Sequence, residues 1–332
     1  MVIKKTEPYM ITEIGQDLFC LKVPLPNSPL KDLNIYILKS NERNLIIDTG
    51  FNNHQCQQAI KAAQRKLNID WQQTDLFITH FHADHFGLVS HLASKDTRIF
   101  FNRFDTEWFF SWEGFDCHAR YVIGHGFPSR KIPSVRKAYG EIGEPAQWLK
   151  DIHVVEDGDQ LNIGRFNLKC IHTPGHSRGH MCLYEPNHKF LFSGDHILAD
   201  ISPIIMCFSD HENPLKAYLN SLEKTRNLDV NLVLPGHRSS MDDHCKAIDT
   251  IRQHHETRLE ETLNILSESP KSAYEIAAKM KWNSPEENWN RFAELQKWFA
   301  VSEAIAHIRF LEEAGMVTRY INRYSIIFHL TN

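Results

Sequence analysis

Residues Thr79 to Gly87 read T-H-F-H-A-D-H-F-G and follow the apolar run Leu76 to Ile78. This places His80, His82, Asp84 and His85 within six positions. Side chains alternate along an extended segment, so His80 and His82 point to the same side and reach one ion, while Asp84 and His85 follow where the chain turns and face a second. Imidazole nitrogen with some carboxylate oxygen suits a borderline metal such as zinc, and the absence of a thiolate points to an open catalytic site over a closed structural one. The competing reading is a histidine-rich surface loop in a chain with twenty histidines.

Three later segments supply groups that complete two coordination spheres, each where an apolar, β-branched run gives way to a glycine turn. His172-Thr173-Pro174-Gly175-His176-Ser177 follows the run from Phe166 to Ile171. Ser193-Gly194-Asp195-His196 follows Phe190-Leu191-Phe192, and Leu234-Pro235-Gly236-His237 follows Val230 to Val233.

With T-H-x-H-x-D-H, H-T-P-G-H-S, S-G-D and P-G-H in this order over about residues 10 to 240, the chain resembles the metallo-β-lactamase-fold hydrolase superfamily. The resemblance implies an αβ/βα four-layer sandwich with the metals at one edge between two sheets. It also implies His80, His82 and His176 on a first metal, Asp84, His85 and His237 on a second, and Asp195 bridging them. Asp48, in Leu45-Ile46-Ile47-Asp48-Thr49-Gly50, matches an aspartate that supports the ligand loop from behind. Two zinc ions per chain are expected, with iron or manganese as alternatives. The resemblance leaves the substrate open, since this scaffold hydrolyses thioesters, lactones, β-lactams, phosphodiesters and sulfate esters.

At 332 residues, 42% hydrophobic and 23% charged, the chain has the composition of an ordinary globular protein with room for one large domain and a small one. The first twenty residues carry Lys4, Lys5 and Glu7 without an apolar core, and no stretch approaches eighteen consecutive apolar residues, so a cytoplasmic protein is expected. Seven cysteines without a C-x-x-C pair suit a reducing compartment and buried thiols. A net charge of −4 gives no general attraction to nucleic acid or anionic membrane.

Alternating runs predict strands over Leu18 to Val23, Leu33 to Leu38 and Leu45 to Ile47, and helix over Asn53 to Leu67. Leu88 to Ser94 reads as helix, Thr97 to Phe101 as strand, and Pro214 to Thr225 as helix. Residues 100–150 form a helical insert whose first part is dense in rings: Phe100, Phe101, Phe104, Trp108, Phe109, Phe110, Trp112 and Phe115. These rings either wall an apolar substrate or pack the insert onto the sandwich or a second copy of the chain. Arg120, Arg130, Lys131, Arg136 and Lys137 make its latter part basic, fit to meet a substrate anion or simply to be solvated.

The boundary falls at residues 240/241, with a catalytic domain over 1–240 and a winged-helix-like domain over 241–332. Helix is expected over Ala247 to Ser267, from the capping box Ser272-Ala273-Tyr274-Glu275 to Met280, and over Val301 to Ala314, followed by a hairpin from Met316 to Leu330. The phrase A-I-A-H-I-R-F-L-E-E-A-G-M-V resembles the winged-helix tail of lactamase-like hydrolases, including an endoribonuclease branch. Residues 241–332 hold eleven Lys or Arg against fourteen Asp or Glu, a balance that argues against nucleic acid. This tail is expected to shape the site's rim or a homodimer contact.

Two divalent ions a few ångströms apart bring a shared water close to neutral pKa, so hydrolysis through a bridging hydroxide needs no side-chain nucleophile. Asp84 is the expected catalytic residue, orienting the hydroxide and shuttling a proton. His172, Thr173 and Asp48 are candidates for fixing the imidazole tautomers, and His180 and His196 for donating to an oxyanion or making structural bonds. The leading reading is a dinuclear-zinc hydrolase of an ester, thioester or lactone with a small, partly apolar acyl group. An endoribonuclease or other phosphodiesterase, a mono-iron sulfur dioxygenase and a non-catalytic ligand sensor are the alternatives.

Overall fold

The computed structural model describes residues 9–26, 28–110, 114–140, 152–282, 286, 288–323 and 325–331. The side chains of residues 108–110, 114, 139 and 140 are also outside the description. A seven-stranded sheet runs in chain order: β1 (Ile11–Gly15), β2 (Leu18–Pro24), β3 (Asp32–Leu38), β4 (Asn44–Ile47), β5 (Thr74–Phe77), β6 (Ile99–Asn102) and β7 (Ile152–Val155). Pairing is antiparallel as far as β4 and parallel from β4 to β7. The second sheet has the order β12-β11-β10-β9-β8, from β8 (Gln160–Ile163), β9 (Phe166–His172), β10 (Met181–Glu185), β11 (Phe190–Gly194) and β12 (Leu232–Pro235).

The two-residue period of a strand makes the layers. Leu45, Ile47, Phe77 and Phe100 face the second sheet and meet Cys170, Met181, Leu183 and Phe192. Ile46, Leu76, Ile99 and Phe101, one step out of phase, pack against Ala59, Ile60 and Ala63 of α1 (His54–Leu67). Ile171, Cys182 and Leu191 turn outward from the second sheet to Leu215, Tyr218 and Leu222 of α7 (Pro214–Arg226). Helix, sheet, sheet and helix therefore stack as an αβ/βα sandwich, as expected. Near-continuous burial of β4, β5 and β6 follows from their being covered on both faces.

Between β5 and β7 the chain forms the single turns α2 (Ala83–Phe86) and α3 (Val89–Leu92), then β6, α4 (Arg103–Phe110), α5 (Gly114–Gly124) and α6 (Ile132–Gly140). After β12 come α8 (His244–Glu268), α9 (Ala273–Lys279), α10 (Glu294–Glu313), β13 (Val317–Asn322) and β14 (Ser325–Leu330). Ser272 and Glu275 close the capping box at α9. Helix α10 starts seven residues before the expected Val301, because Trp298, Ala300, Val301, Ala304, Ile305 and Ile308 are buried around most of its circumference. A helix covered on all sides shows no amphipathic stripe from which its start can be read.

The aromatic insert divides. Phe100 and Phe101 belong to β6 and the core, while Phe115 stacks on Trp298 with ring centroids 5.7 Å apart. Phe104 is 43% exposed. The side chains of Trp108, Phe109 and Phe110, and all of Trp112, lie outside the described residues. Of the basic residues, Arg136 pairs with Asp116 and Lys131 with Glu294. Cys56, Cys170, Cys182 and Cys207 are buried free thiols, but Cys117 is exposed, against the expectation for all seven.

Residues beyond 241 are continuous with the core under α7. Ile248, Ile251, Ala273, Ile276, Trp298, Val301 and Phe328 share one apolar cluster with Ile171, Leu191 and Leu215. Trp298 is fully buried against His118 and Phe127. Trp298→Ala is expected to cost about 3–5 kcal/mol. Urea unfolding followed by circular dichroism should show a single transition at lower midpoint; a second, separate transition would show that the two parts unfold independently.

Candidate metal centre

The chain segments that follow β5, β9, β11 and β12 converge at one edge of the sandwich, and the structure brings all seven expected ligands together there. His80 Nε2 lies 3.0 Å from His82 Nδ1 and 3.2 Å from His176 Nε2. His237 Nε2 lies 3.3 Å from His85 Nε2 and 3.3 Å from Asp84 Oδ2. Asp195 spans the two sets: Oδ1 is 3.5 Å from both His85 Nε2 and His237 Nε2, and Oδ2 is 3.6 Å from His176 Nε2.

Three groups could each hold a metal ion: His80, His82 and His176; His80, His85 and Asp195; Asp84, His85 and His237. Ligand atoms about 2.0–2.1 Å from a tetrahedral zinc stand about 3.3 Å apart along each edge of the tetrahedron, which is the spacing seen here. Asp195 Oδ1 is buried without a hydrogen-bond partner, at 3.5 Å from two imidazole nitrogens, and an acceptor left so is explained by a cation between them. The donor set fits two divalent ions.

The opposite edges of the rings fix which nitrogen is free. His85 Nδ1 donates to Asp48 Oδ2 at 2.8 Å, His176 Nδ1 to the Ile204 carbonyl at 2.7 Å, and His237 Nδ1 to the Asp32 carbonyl at 2.8 Å. Asp48 also accepts the Thr79 amide at 2.9 Å and the Thr79 hydroxyl, whose oxygen stands 3.0 Å from His80 Nδ1. Each of these rings is left with Nε2 unprotonated toward the centre when neutral. A register shift between β11 and β12 at Phe192/Gly194 precedes Asp195, and such bulges re-aim side chains beside sites.

Other expected roles fall differently. Asp48 fixes a ligand tautomer, but Thr173 Oγ1 meets His180 Nδ1 and His172 Nε2 donates to the Arg178 carbonyl, so neither orients a ligand ring. His180 is fully buried and accepts the Asp195 amide through Nε2 at 3.1 Å, and buried His196 meets Thr225 Oγ1. Both make structural bonds away from the open face. The sequence reading missed Asp105, which accepts the Phe81 and Gly179 amides and the Ser177 hydroxyl. It also missed Asn34 and Tyr36, which donate to the Pro235 carbonyl just before His237.

A cavity of about 550 Å³ lies beside the His176 loop, with Phe104, Gly175, Ser177, Met206, Phe208 and Pro214 in its wall. None of the seven ligands lines it.

Protonation divides the centre in two. Burial, reinforced by neighbouring imidazoles, holds His80 well below the usual histidine value, and burial with His176 beside it takes His82 down to about 3. Burial also lowers His176. Burial acts on His85 and His237 in the same sense, but the carboxylates of Asp48, Asp195 and Asp84 outweigh it at His85, and Asp195 and Asp84 do so at His237, so both are raised. Asp84 is held at about 2, against its burial, by His85 and His237.

The family model for the metallo-beta-lactamase superfamily matches residues 31–237. The Bacillus subtilis protein named "Probable metallo-hydrolase YqjP" is 23% identical over 94% of this chain and 98% of its own. The human "Acyl-coenzyme A thioesterase MBLAC2" is 27% identical over 70% of this chain and 81% of its own. A metallo-beta-lactamase family protein from Thermus thermophilus superposes with a TM-score of 0.80 at 26% identity, covering 96% of this chain and all of that one. The chain belongs to the metallo-beta-lactamase superfamily and is a hydrolase.

A metal entering between neutral His80, His82 and His176 displaces no proton, whereas one entering at His85 and His237 must displace protons held above the ordinary histidine value. One class of metal affinity is therefore expected to weaken as pH falls from about 8 to 6 while the other changes little, with proton release confined to the first. Calorimetric titration in buffers of different ionisation enthalpy checks both. Asp48→Ala, which frees the His85 ring, is expected to lower metal affinity roughly 10- to 100-fold, measured by competition with a chromogenic chelator.

Proposed function

We propose that the chain hydrolyses an ester, thioester or lactone with a small, partly apolar acyl group, and that an acyl thioester is its substrate class. The observation that carries this reading is the pair of ligand sets joined by Asp195 at an edge reached by solvent, where the Asp84 side chain is 14% exposed. Relatives named as acyl-coenzyme A thioesterase and atrochrysone carboxyl ACP thioesterase support the thioester. His80, His82 and His176 would hold one ion, Asp84, His85 and His237 the other, and Asp195 would span both. Two divalent ions, zinc by the nature of the donors, would supply Lewis acidity toward the substrate oxygen and a water acidic enough to ionise near neutral pH.

The protein's part is to orient and to move a proton. Asp84 is ionised at neutral pH, so it aligns a water by accepting its hydrogen bond, takes the proton as the water oxygen bonds to the acyl carbon, and gives it to the sulfur as the carbon–sulfur bond breaks. The cavity beside the His176 loop is of a size that holds a small acyl group, with Phe104, Met206 and Phe208 as apolar wall.

Residues 241–332 serve, in this reading, to support the site as a winged-helix-like unit. Several of their cations are paired with carboxylates: Arg309 and Arg319 with Glu312, Arg319 also with Asp210, Lys279 with Glu268 and Lys297 with Glu294. That pairing weighs against phosphate contacts. The free thiols are consistent with a reducing cytoplasm. Among the described residues no helix is long and apolar enough to cross a membrane.

The test is metal content together with hydrolysis of an acyl thioester, a lactone, an aryl ester and a bis-aryl phosphodiester by wild type and Asp84→Ala. Expected are two metals per chain and thioester cleavage that falls roughly 10²–10⁴-fold in the variant. Equal rates in metal-stripped wild type, or cleavage of the phosphodiester alone, would overturn the proposal.

A further inference from the structure

We propose that Asp105, carried by the first helix of the insert, is a positioning residue that holds the His80–His82–His176 half of the metal centre in place. The inference rests on the metal-centre reading above and adds to it a residue outside the ligand motifs.

The ligand-bearing loops come from different sheets. His80 and His82 follow β5 of the first sheet, and His176 lies between β9 and β10 of the second. Asp105 ties them together. Its Oδ2 accepts the Phe81 amide at 3.0 Å, between His80 and His82 in the chain, and the Ser177 hydroxyl at 2.7 Å, next to His176. Its Oδ1 accepts the Gly179 amide at 2.6 Å. The residue is fully buried, and a carboxylate is tolerated there because three donors replace the water it has lost.

The neighbouring chain is shaped to this contact. A Cβ on Gly179 would stand 2.6 Å from the Asp105 amide nitrogen and 2.9 Å from its carboxyl carbon, so only glycine lets the loop close on Asp105. Asn102, at the end of β6, accepts the Phe104 amide through Oδ1 and donates to the Val155 carbonyl through Nδ2, which fixes the start of α4 and the direction in which Asp105 leaves it. Asp48 makes comparable contacts, to the His85 ring and to the Thr79 amide just before His80. Asp48 thus supports His85 directly and His80 through Thr79, while Asp105, from the insert, is the buried carboxylate that joins the His80–His82 loop to the His176 loop.

The test is cobalt(II) titration of metal-stripped full-length protein, read by the visible spectrum and by the number of ions bound, for wild type, Asp105→Ala and Ser177→Ala. Wild type is expected to bind two ions. Asp105→Ala is expected to weaken one of them roughly 10- to 100-fold with a changed spectrum for that ion alone, and Ser177→Ala, which deletes one of the three donors, to weaken the same ion by less. Should Asp105→Ala fail to fold, Ser177→Ala decides on the same readout. Wild-type affinity and spectrum in both variants, or equal weakening of both ions, would overturn the role and leave the metal centre standing. A wild type that takes up no cobalt would overturn the metal centre itself, and this role with it.

Discussion

The Asp195 carboxylate is the constraint on which the remaining geometry depends. It stands within 3.6 Å of three imidazole nitrogens that belong to both ligand sets, and it is buried. Imidazoles brought this close with lone pairs converging repel one another, so the fold must supply the force that holds them. It does so from behind, through Asp48, the Asp32 and Ile204 carbonyls and Thr79, none of which would meet an ion. The same carboxylates that would neutralise the ions raise His85 and His237 above the usual histidine value, while burial wins at His80, His82 and His176 and lowers them.

Much of this was legible in the chain because the chemistry is concentrated. His80, His82, Asp84 and His85 are close in sequence because a strand end and a helical turn present them together, and the later ligands each stand at a glycine turn closing a strand. Asp105 was not legible. It acts on two backbone amides and a serine hydroxyl, and no spacing marks a residue whose partners are peptide groups. His180 and His196 read as site candidates through closeness in sequence to the ligands, but their rings turn into the structure toward Thr173 and Thr225. The start of α10 was hidden for a related reason: burial on every side removes the polar face that marks a helix in a sequence.

The segments that vary most from the minimal sandwich are also mechanically joined to the site. Ile204, which orients His176, lies in the connection from β11 to α7, and that connection is held farther along by Cys207 on the Ser302 carbonyl and by Asp210 on Arg319. Tyr218 donates to the His196 carbonyl, and its backbone lies so close to Gly175 that a Cβ there would stand 2.5 Å from its Cα. The C-terminal part therefore reaches His176 through one short chain of contacts, and α7 reaches the same loop through another.

Because the ligands come from both sheets, an ion held by His80 of the first and His176 of the second is a cross-link between the two halves of the sandwich. An ion present at a thousand times its dissociation constant stabilises the folded chain by about 4 kcal/mol. Much of that would be felt at the edge where the strands end, so the catalytic centre would double as a clasp, and its opening would be the natural first step by which the two sheets come apart.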